Sequence, residues 1–169
     1  MIELTSTPII ILAILGGVGI ALPVINVALK ERGSMISYGI ATLIALFAAI
    51  GYVLYQLALD HVAPAAIFSQ DVLVDDAFGS LFAIAMLIVA IFTTVGSFSY
   101  MKNKANPSIY FSLILLSSIG MVLVAYSTDL VMLFVAWELM SIPTYILVGF
   151  LKKDPVSYTH LTLPTILLV

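Results

Sequence analysis

The stretch STDLVMLFVAWELMSIPTYILVGFLKKDP, residues 127 to 155, contains a long apolar run, residues 130 to 151, in which Glu138 is the only acidic or basic side chain. From Leu130 to Leu151 the run is long enough to cross the roughly 30 Å hydrocarbon core of a bilayer as an α-helix. Asp129 precedes the run and Lys152 follows it. Glu138 lies about 13 Å beyond Asp129 at 1.5 Å per residue. The stretch therefore predicts a membrane-spanning helix with a carboxyl group near mid-bilayer.

The rest of the chain has the same apolar character. Of its 169 residues, 63% are hydrophobic and 9% are charged, whereas about 25% are charged in average soluble domains. Because only helices and closed barrels satisfy backbone groups in lipid, we predict an all-α, polytopic membrane helical bundle of about five transmembrane helices. The four further spans are predicted at about residues 8–29, 35–59, 77–98 and 108–126. We interpret the first as a retained span, because no basic residue precedes it and it is about twice as long as a signal-peptide core.

The charged residues predict the orientation of the helices. All six basic residues fall in three places: Lys30 and Arg32, Lys102 and Lys104, Lys152 and Lys153. These places are two spans apart and so share one face of the membrane, which the positive-inside rule makes cytoplasmic. The other face receives six acids: Glu3, Asp60, Asp71, Asp75, Asp76 and Asp129. We therefore predict an N-terminus on the outside.

Composition also excludes several kinds of centre. The sequence has no Cys, which rules out thiolate-held iron-sulfur clusters, disulfides and Cys-containing zinc sites. His61 and the nearby aspartates match no metal-ligand spacing, and we predict no metal and no cofactor. The chain should therefore have no catalytic centre of its own, and any redox chemistry should belong to a partner.

Glu138 is the candidate functional residue. An ionisable group at this depth costs at least about 2.5 kcal/mol and by default indicates function, commonly in a proton relay. Helical spacing places Ser141 and Tyr145 on the same face as Glu138, as candidate hydration or hydrogen-bonding groups, and we expect this face to point into a bundle or a hydrated cavity. Pro143 lacks an N–H, leaves the Leu139 carbonyl without its helical donor and should distort the helix. The alternative is a protonated Glu138 that only hydrogen-bonds a neighbouring helix.

Two further patterns concern helix packing. Small residues recur at every fourth position and should line helix contacts; they are Ala13, Gly17 and Ala21 in the first span, and Ala41, Ala45 and Ala49 in the second. The hydroxyls of Ser112, Ser117 and Ser118 can bond across helices or to their own carbonyls, and we expect the second arrangement.

Residues 127 to 155 also resemble a known family. An outside Asp-Leu, a Leu-Phe, an aromatic-Glu-Leu centre, a Ser-Ile-Pro-Thr-Tyr and a basic exit resemble the fifth span of the antiporter-like membrane subunits of respiratory complex I type dehydrogenases. The Glu-Leu-Met-Ser core and the Lys-Lys-Asp-Pro exit most resemble the N-type subunit of NADH-quinone or coenzyme F-420 dehydrogenases. The resemblance covers roughly residues 1 to 155. It implies an N-terminal fragment in which Glu138 is a proton relay that pairs with a lysine on a later span.

The resemblance implies a division of the chain and a function. Residues 1–106 would be an N-terminal three-helix membrane segment, and residues 107–155 the first two helices of a proton-conducting inverted repeat. Residues 156–169, VSYTHLTLPTILLV, do not continue the family pattern, and we interpret them as a non-native tail.

The implied function is a non-redox, proton-translocating subunit in a prokaryotic cell membrane, with the lipid bilayer, protons and the other dehydrogenase membrane subunits as partners and no nucleic acid. The alternatives are an Mrp-type cation/proton antiporter subunit and a small membrane scaffold protein without transport.

Overall fold

The computed structural model describes residues 7–29, 33–59, 72–102, 104 and 106–150. These residues form five α-helices: α1 (Thr7–Ala28), α2 (Met35–Ala58), α3 (Ala77–Tyr100), α4 (Pro107–Tyr126) and α5 (Leu130–Gly149). Each helix is long and apolar enough to cross a membrane. The predicted all-α bundle of five spans is confirmed, with helix ends within two residues of the predicted ones. The predicted tail at residues 156–169 and His61 lie outside the described residues, and the division at residue 107 stays a prediction.

Carboxylates lie at the N-termini of the three helices that begin at one end of the bundle. Asp76 precedes α3 and accepts a hydrogen bond from the Gly79 N–H at 2.7 Å. Asp129 precedes α5 and accepts from two N–H groups of its first turn, at 2.9 and 3.1 Å. Asp75 accepts from the N–H of Thr7, the first residue of α1, at 2.8 Å. Because unpaired N–H groups and the helix dipole favour an acceptor there, these acids also have a local structural role. Which end faces outside stays a prediction.

At the same end of the bundle, a short extended segment before α3 pairs with the turn between α4 and α5. Leu73 forms an antiparallel bridge with Ser127. The Val74 N–H donates to the Tyr126 carbonyl at 3.0 Å, and the Thr128 N–H donates to the Val72 carbonyl at 3.3 Å. We call residues 72–74 the latch, because these two bonds hold the segment before α3 against the segment that connects α4 to α5.

Helix α4 is the centre of the described bundle. It packs against α1, α2, α3 and α5, whereas α5 packs against α4 alone among the described helices. Buried side chains occur all round α4, including Phe111, Leu115 and Val122. This arrangement leaves most of α5 free of contact with the other described helices.

The predicted small-residue contacts are right for one helix and wrong for the other. In α2, Ala45 and Ala49 are buried. In α1, Ala13 and Gly17 are exposed, and the buried face instead carries Ile11, Leu15, Gly19 and Leu22. A Cβ at Gly19 would lie 3.5 Å from the Leu115 Cβ. The contact of α1 with α4 therefore includes a glycine two positions away from the predicted stripe, where an added Cβ would make an ordinary van der Waals contact.

Candidate functional site

Helix α5 places Glu138 near the middle of a membrane-length helix. The Asp129 carboxylate fixes the start of the helix, as described above, and the helix continues to Gly149 through Pro143. Glu138 is eight residues after Leu130, or about 12 Å along the axis. A bilayer core of about 30 Å that α5 spans would therefore contain this carboxyl near its centre.

One face of α5 packs closely on α4. Ala136 and Pro143 are the buried residues of the helix, and Leu139 and Leu147 are partly buried against the same core. These positions recur at spacings of three, four and four residues, which is the repeat of a helix contact face. Pro143 is thus turned towards α4. The helix is unbroken at Pro143, and the predicted distortion stays a prediction.

The opposite face carries the predicted polar residues. Glu138 and Ser141 are partly exposed, and Tyr145 is 73% exposed. Glu138 is two residues from Ala136, about 200° around a helix, and so points away from α4. In the part of the chain that the structure describes, no helix packs on this face. The expectation that it points into a bundle or a hydrated cavity stays a prediction, since α1 to α4 do not cover this face.

The three polar residues are not bonded to one another. The Ser141 hydroxyl donates to the Trp137 carbonyl of its own helix at 2.8 Å, so its proton is used within α5. The Glu138 carboxyl accepts no hydrogen bond from a described residue. Since a carboxyl held in mid-bilayer without partners is costly, this site is chemically incomplete within the described helices.

A cavity of about 420 Å³ lies beside this face, between α3, α4 and α5. Six hydroxyl-bearing residues are among those that line it: Thr93, Ser117, Ser118, Ser141, Thr144 and Tyr145. Several of these hydroxyls donate to the carbonyl four residues earlier in their own helix, as Thr93 does at 2.9 Å and Thr144 at 2.8 Å. Their oxygen lone pairs remain available as acceptors. Ser141 and Tyr145 line this cavity, while Glu138 lies one helical turn from Ser141, outside the lining.

The serines of α4 differ from the expectation. Ser118 donates to the Ile114 carbonyl of its own helix at 2.8 Å, as expected. Ser112 instead donates to the Gly19 carbonyl in α1, and Ser117 donates to the Met140 carbonyl in α5 at 3.2 Å. The prediction was wrong for these two, because close backbone approach brings a carbonyl of another helix within reach of a short side chain.

Two acids of the loop before α3, Asp75 and Asp76, lie within the described residues. Asp75 and Asp76 bond to helix N-termini, as described above. Among the described residues no group of three His, Asp or Glu side chains could hold a metal ion. His61 and Asp71 lie outside those residues.

Sequence reasoning missed Gly120, where the backbones of α4 and α5 come close together. A Cβ there would lie 2.7 Å from the Met140 Cα and 2.8 Å from the Leu139 carbonyl carbon. The available signal was a glycine inside a predicted span, which commonly marks a helix contact in membranes. A single sequence does not say which helix the glycine contacts.

The chain has relatives among proteins of known family. No family model matches the chain. It is 33% identical over 148 residues to NADH-quinone oxidoreductase subunit N 1 of Solibacter usitatus, a match that covers 87% of the chain and 29% of that relative. It is 34% identical over 161 residues to NADH-quinone oxidoreductase subunit N of Desulfitobacterium hafniense, covering 92% of the chain and 30% of the relative.

A third relative is F(420)H(2) dehydrogenase subunit N of Methanosarcina mazei, 35% identical over 88 residues, which are 52% of the chain and 18% of the relative. The chain thus spans somewhat under a third of the length of the first two relatives. Five apolar helices of spanning length and these matches agree with the resemblance seen at residues 127 to 155. The chain is a multi-pass membrane protein that belongs to the antiporter-like family of N subunits of NADH-quinone and F(420)H(2) dehydrogenases.

Proposed function

We propose that this chain supplies part of the non-redox, proton-translocating subunit of a NADH-quinone or coenzyme F-420 dehydrogenase, with Glu138 as proton relay and charge-pair member. The observation that carries the proposal is the position of Glu138: about 12 Å into a membrane-length helix, on the face that no described helix covers. The relatives are subunits of such dehydrogenases by name, which supports the assignment to this class. The complex would lie in a prokaryotic cell membrane.

A carboxyl in this position needs a polar or cationic partner. Intramembrane acids almost always face a bundle interior or a water-filled cavity and pair with another polar group. The uncovered face of α5 leaves room for such a partner on a helix outside the described residues. We propose that the partner is a cation, because an opposite charge within about 4 to 6 Å keeps a carboxyl ionised where burial alone would neutralise it.

The charge pair provides a means of moving a proton. While the cationic partner is close, the carboxylate stays ionised and the partner holds its proton. When the two separate, the partner loses its counter-charge and releases its proton. Low dielectric strengthens this coupling, since charges interact several times more strongly inside a protein than in water.

Neighbouring groups support hydration around the relay. The Leu139 carbonyl has no helical donor because residue 143 is proline, but it belongs to the face of α5 that packs on α4. Ser141 and Tyr145 line the adjacent cavity. Hydroxyl oxygens are acceptors to which water can donate. We propose that Ser141 and Tyr145 hold water in this cavity, about one helical turn from Glu138.

The experiment replaces Glu138 with glutamine in the assembled dehydrogenase complex. Glutamine keeps the size and loses the titratable proton, so proton translocation per electron pair should fall about tenfold or more while the complex still assembles. Proton uptake by sealed vesicles and the rate of quinone reduction would be measured together. Trp137→Phe is the matched control, because Trp137 is the neighbouring residue and lies 57% exposed.

The result also separates this proposal from a scaffold protein without transport. A scaffold would tolerate Glu138→Gln with unchanged proton translocation in an assembled complex, and that result would end the relay proposal. The Mrp-type alternative predicts co-purification with antiporter subunits and no quinone reductase activity in the isolated complex.

A further inference from the structure

Three features of the α4–α5 contact lie next to Glu138. The first is Gly120, where the two backbones come together. An added Cβ would meet the Cα of Met140 at 2.7 Å and the carbonyl carbon of Leu139 at 2.8 Å. Carbon atoms pack best at about 3.5 to 4.0 Å, so a side chain here would push the helices apart by about 1 Å. Only glycine allows the observed approach.

The second feature is Ser117, one helical turn before Gly120. Its hydroxyl donates to the Met140 carbonyl at 3.2 Å and lies 3.2 Å from the Thr144 hydroxyl. Thr144 donates to the same carbonyl at 2.8 Å. Two hydroxyls from different helices therefore converge on one carbonyl, two residues after Glu138. Ser117 is 8% exposed, so its bonds compete little with solvent.

The third feature is Pro143, which is buried towards α4. A proline removes one backbone bond of the helix at Leu139 and weakens the turn that contains residues 139 to 143. Ser117 and Gly120 contact this same turn. A helix turn that lacks one internal bond depends more on external contacts for its position.

We infer that Ser117 and Gly120 are positioning residues, which set the height and rotation of Glu138 by holding the proline-weakened turn of α5 against α4. The inference rests on the proposed function, because the position of Glu138 affects proton translocation only if Glu138 is the relay. The α4 contact lies on the opposite face of α5 from the carboxyl, so neither residue touches the proton that moves. Their effect is on the distance between Glu138 and its partner, which sets both the strength of the charge pair and its pH dependence.

Two pairs of variants in the assembled complex test the inference. Gly120→Ala should lower proton translocation per electron pair by about tenfold or more, because misplacement of a reacting group by about 1 Å can cost up to about a hundredfold. Gly96→Ala is its control, because an added Cβ there meets nothing within 4 Å. Ser117→Ala should lower translocation about threefold, the factor that corresponds to the average free energy of one interhelical hydrogen bond in a membrane protein. Ser118→Ala is its control, because Ser118 is buried and lines the same cavity but bonds only to its own helix.

The readouts distinguish positioning from general stability. Ser117→Thr keeps the hydroxyl and should restore translocation. Ser117→Ala and Gly120→Ala should also displace the pH profile of proton translocation, measured at equal amounts of assembled complex, whereas the controls should keep the wild-type profile. A role in stability alone would lower the amount of complex without moving that profile.

The outcomes distinguish the positioning inference from the proposed function. Suppose that Ser117→Ala and Gly120→Ala keep the wild-type number of protons translocated per electron pair and the wild-type pH profile, while Glu138→Gln loses translocation. That result would overturn the positioning inference and leave the proposed function intact. Equal losses in Ser117→Ala and Ser118→Ala would also overturn it, since the cavity hydroxyls and not the helix contact would then matter. If Gly120→Ala prevents assembly, the Ser117 variants decide. Unchanged translocation in Glu138→Gln would end the proposed function and this inference together.

Discussion

The depth of Glu138 can be tested directly by replacing it with leucine. The structure places the residue eight positions after the start of α5 and eleven before its end, near the middle of the span. A charged residue at a helix centre costs about 2.5 to 3.5 kcal/mol on insertion scales, while leucine contributes about −0.3 to −0.6 kcal/mol. Glu138→Leu should therefore favour insertion of α5 by about 3 kcal/mol, which is a factor of about 100 in the insertion equilibrium.

The assay is translocon-mediated insertion of the chain into microsomes. A glycosylation acceptor placed after α5 becomes modified only when α5 fails to cross, so the modified fraction reports the insertion equilibrium. A second variant moves the acid instead of removing it. Glu138→Leu combined with Val131→Glu puts the acid in the first turn of α5, where the cost should be much smaller because a charge near a helix end reaches the interface.

The outcome bears on the whole relay proposal. If Glu138→Leu and the shifted-acid variant insert no better than the native chain, the carboxyl does not experience the bilayer centre. The proton-relay role of Glu138 would then lose its physical basis, because that role was inferred from the free-energy cost of a carboxyl at the bilayer centre.

Two structural predictions follow from contacts at the end of the bundle that carries the latch. Asp129→Ala removes the acceptor for two N–H groups and should lower the stability of the purified protein by about 1 kcal/mol in thermal denaturation in detergent; Asp129→Asn keeps an acceptor and should be nearly neutral, and equal losses in both would contradict capping. Tyr126 is 1% exposed and its hydroxyl donates to Ser80 at 3.1 Å. A double-mutant cycle of Tyr126→Phe and Ser80→Ala should give a coupling free energy of about 0.6 kcal/mol, and strictly additive losses would show that this bond does not contribute.

The sequence predicts the spans well because their signal is local. A run of apolar residues must be long enough to cross the bilayer, and its ends are marked by residues such as Asp76, Asp129 and Pro107. Hydropathy says little about which face of a span contacts protein, since lipid and helix contacts are both apolar. The exposed Ala13 and Gly17 in α1 show this limit.

The site could be predicted only in part for the same reason. The position of Glu138 within a span, and its place on one face with Ser141 and Tyr145, follow from helical spacing alone. The bonds from Ser112 to α1 and from Ser117 to α5, and the close contact at Gly120, depend on how separate helices meet. A single sequence contains no direct record of those pairings. The role of Glu138 stays a prediction.

The latch has a mechanical consequence for α5. Both of its backbone bonds reach residues beside the start of α5, Tyr126 and Thr128, so the latch fixes this end of the helix. If the α4 contact at Gly120 were loosened, α5 would tilt about this fixed end. At 1.5 Å per residue, a tilt of about 5° would then move Glu138 by about 1 Å and Gly149 by about 2.5 Å. The displacement of Gly149 is thus larger than that of Glu138. A displacement of the far end of the helix would reach Glu138 reduced by more than half.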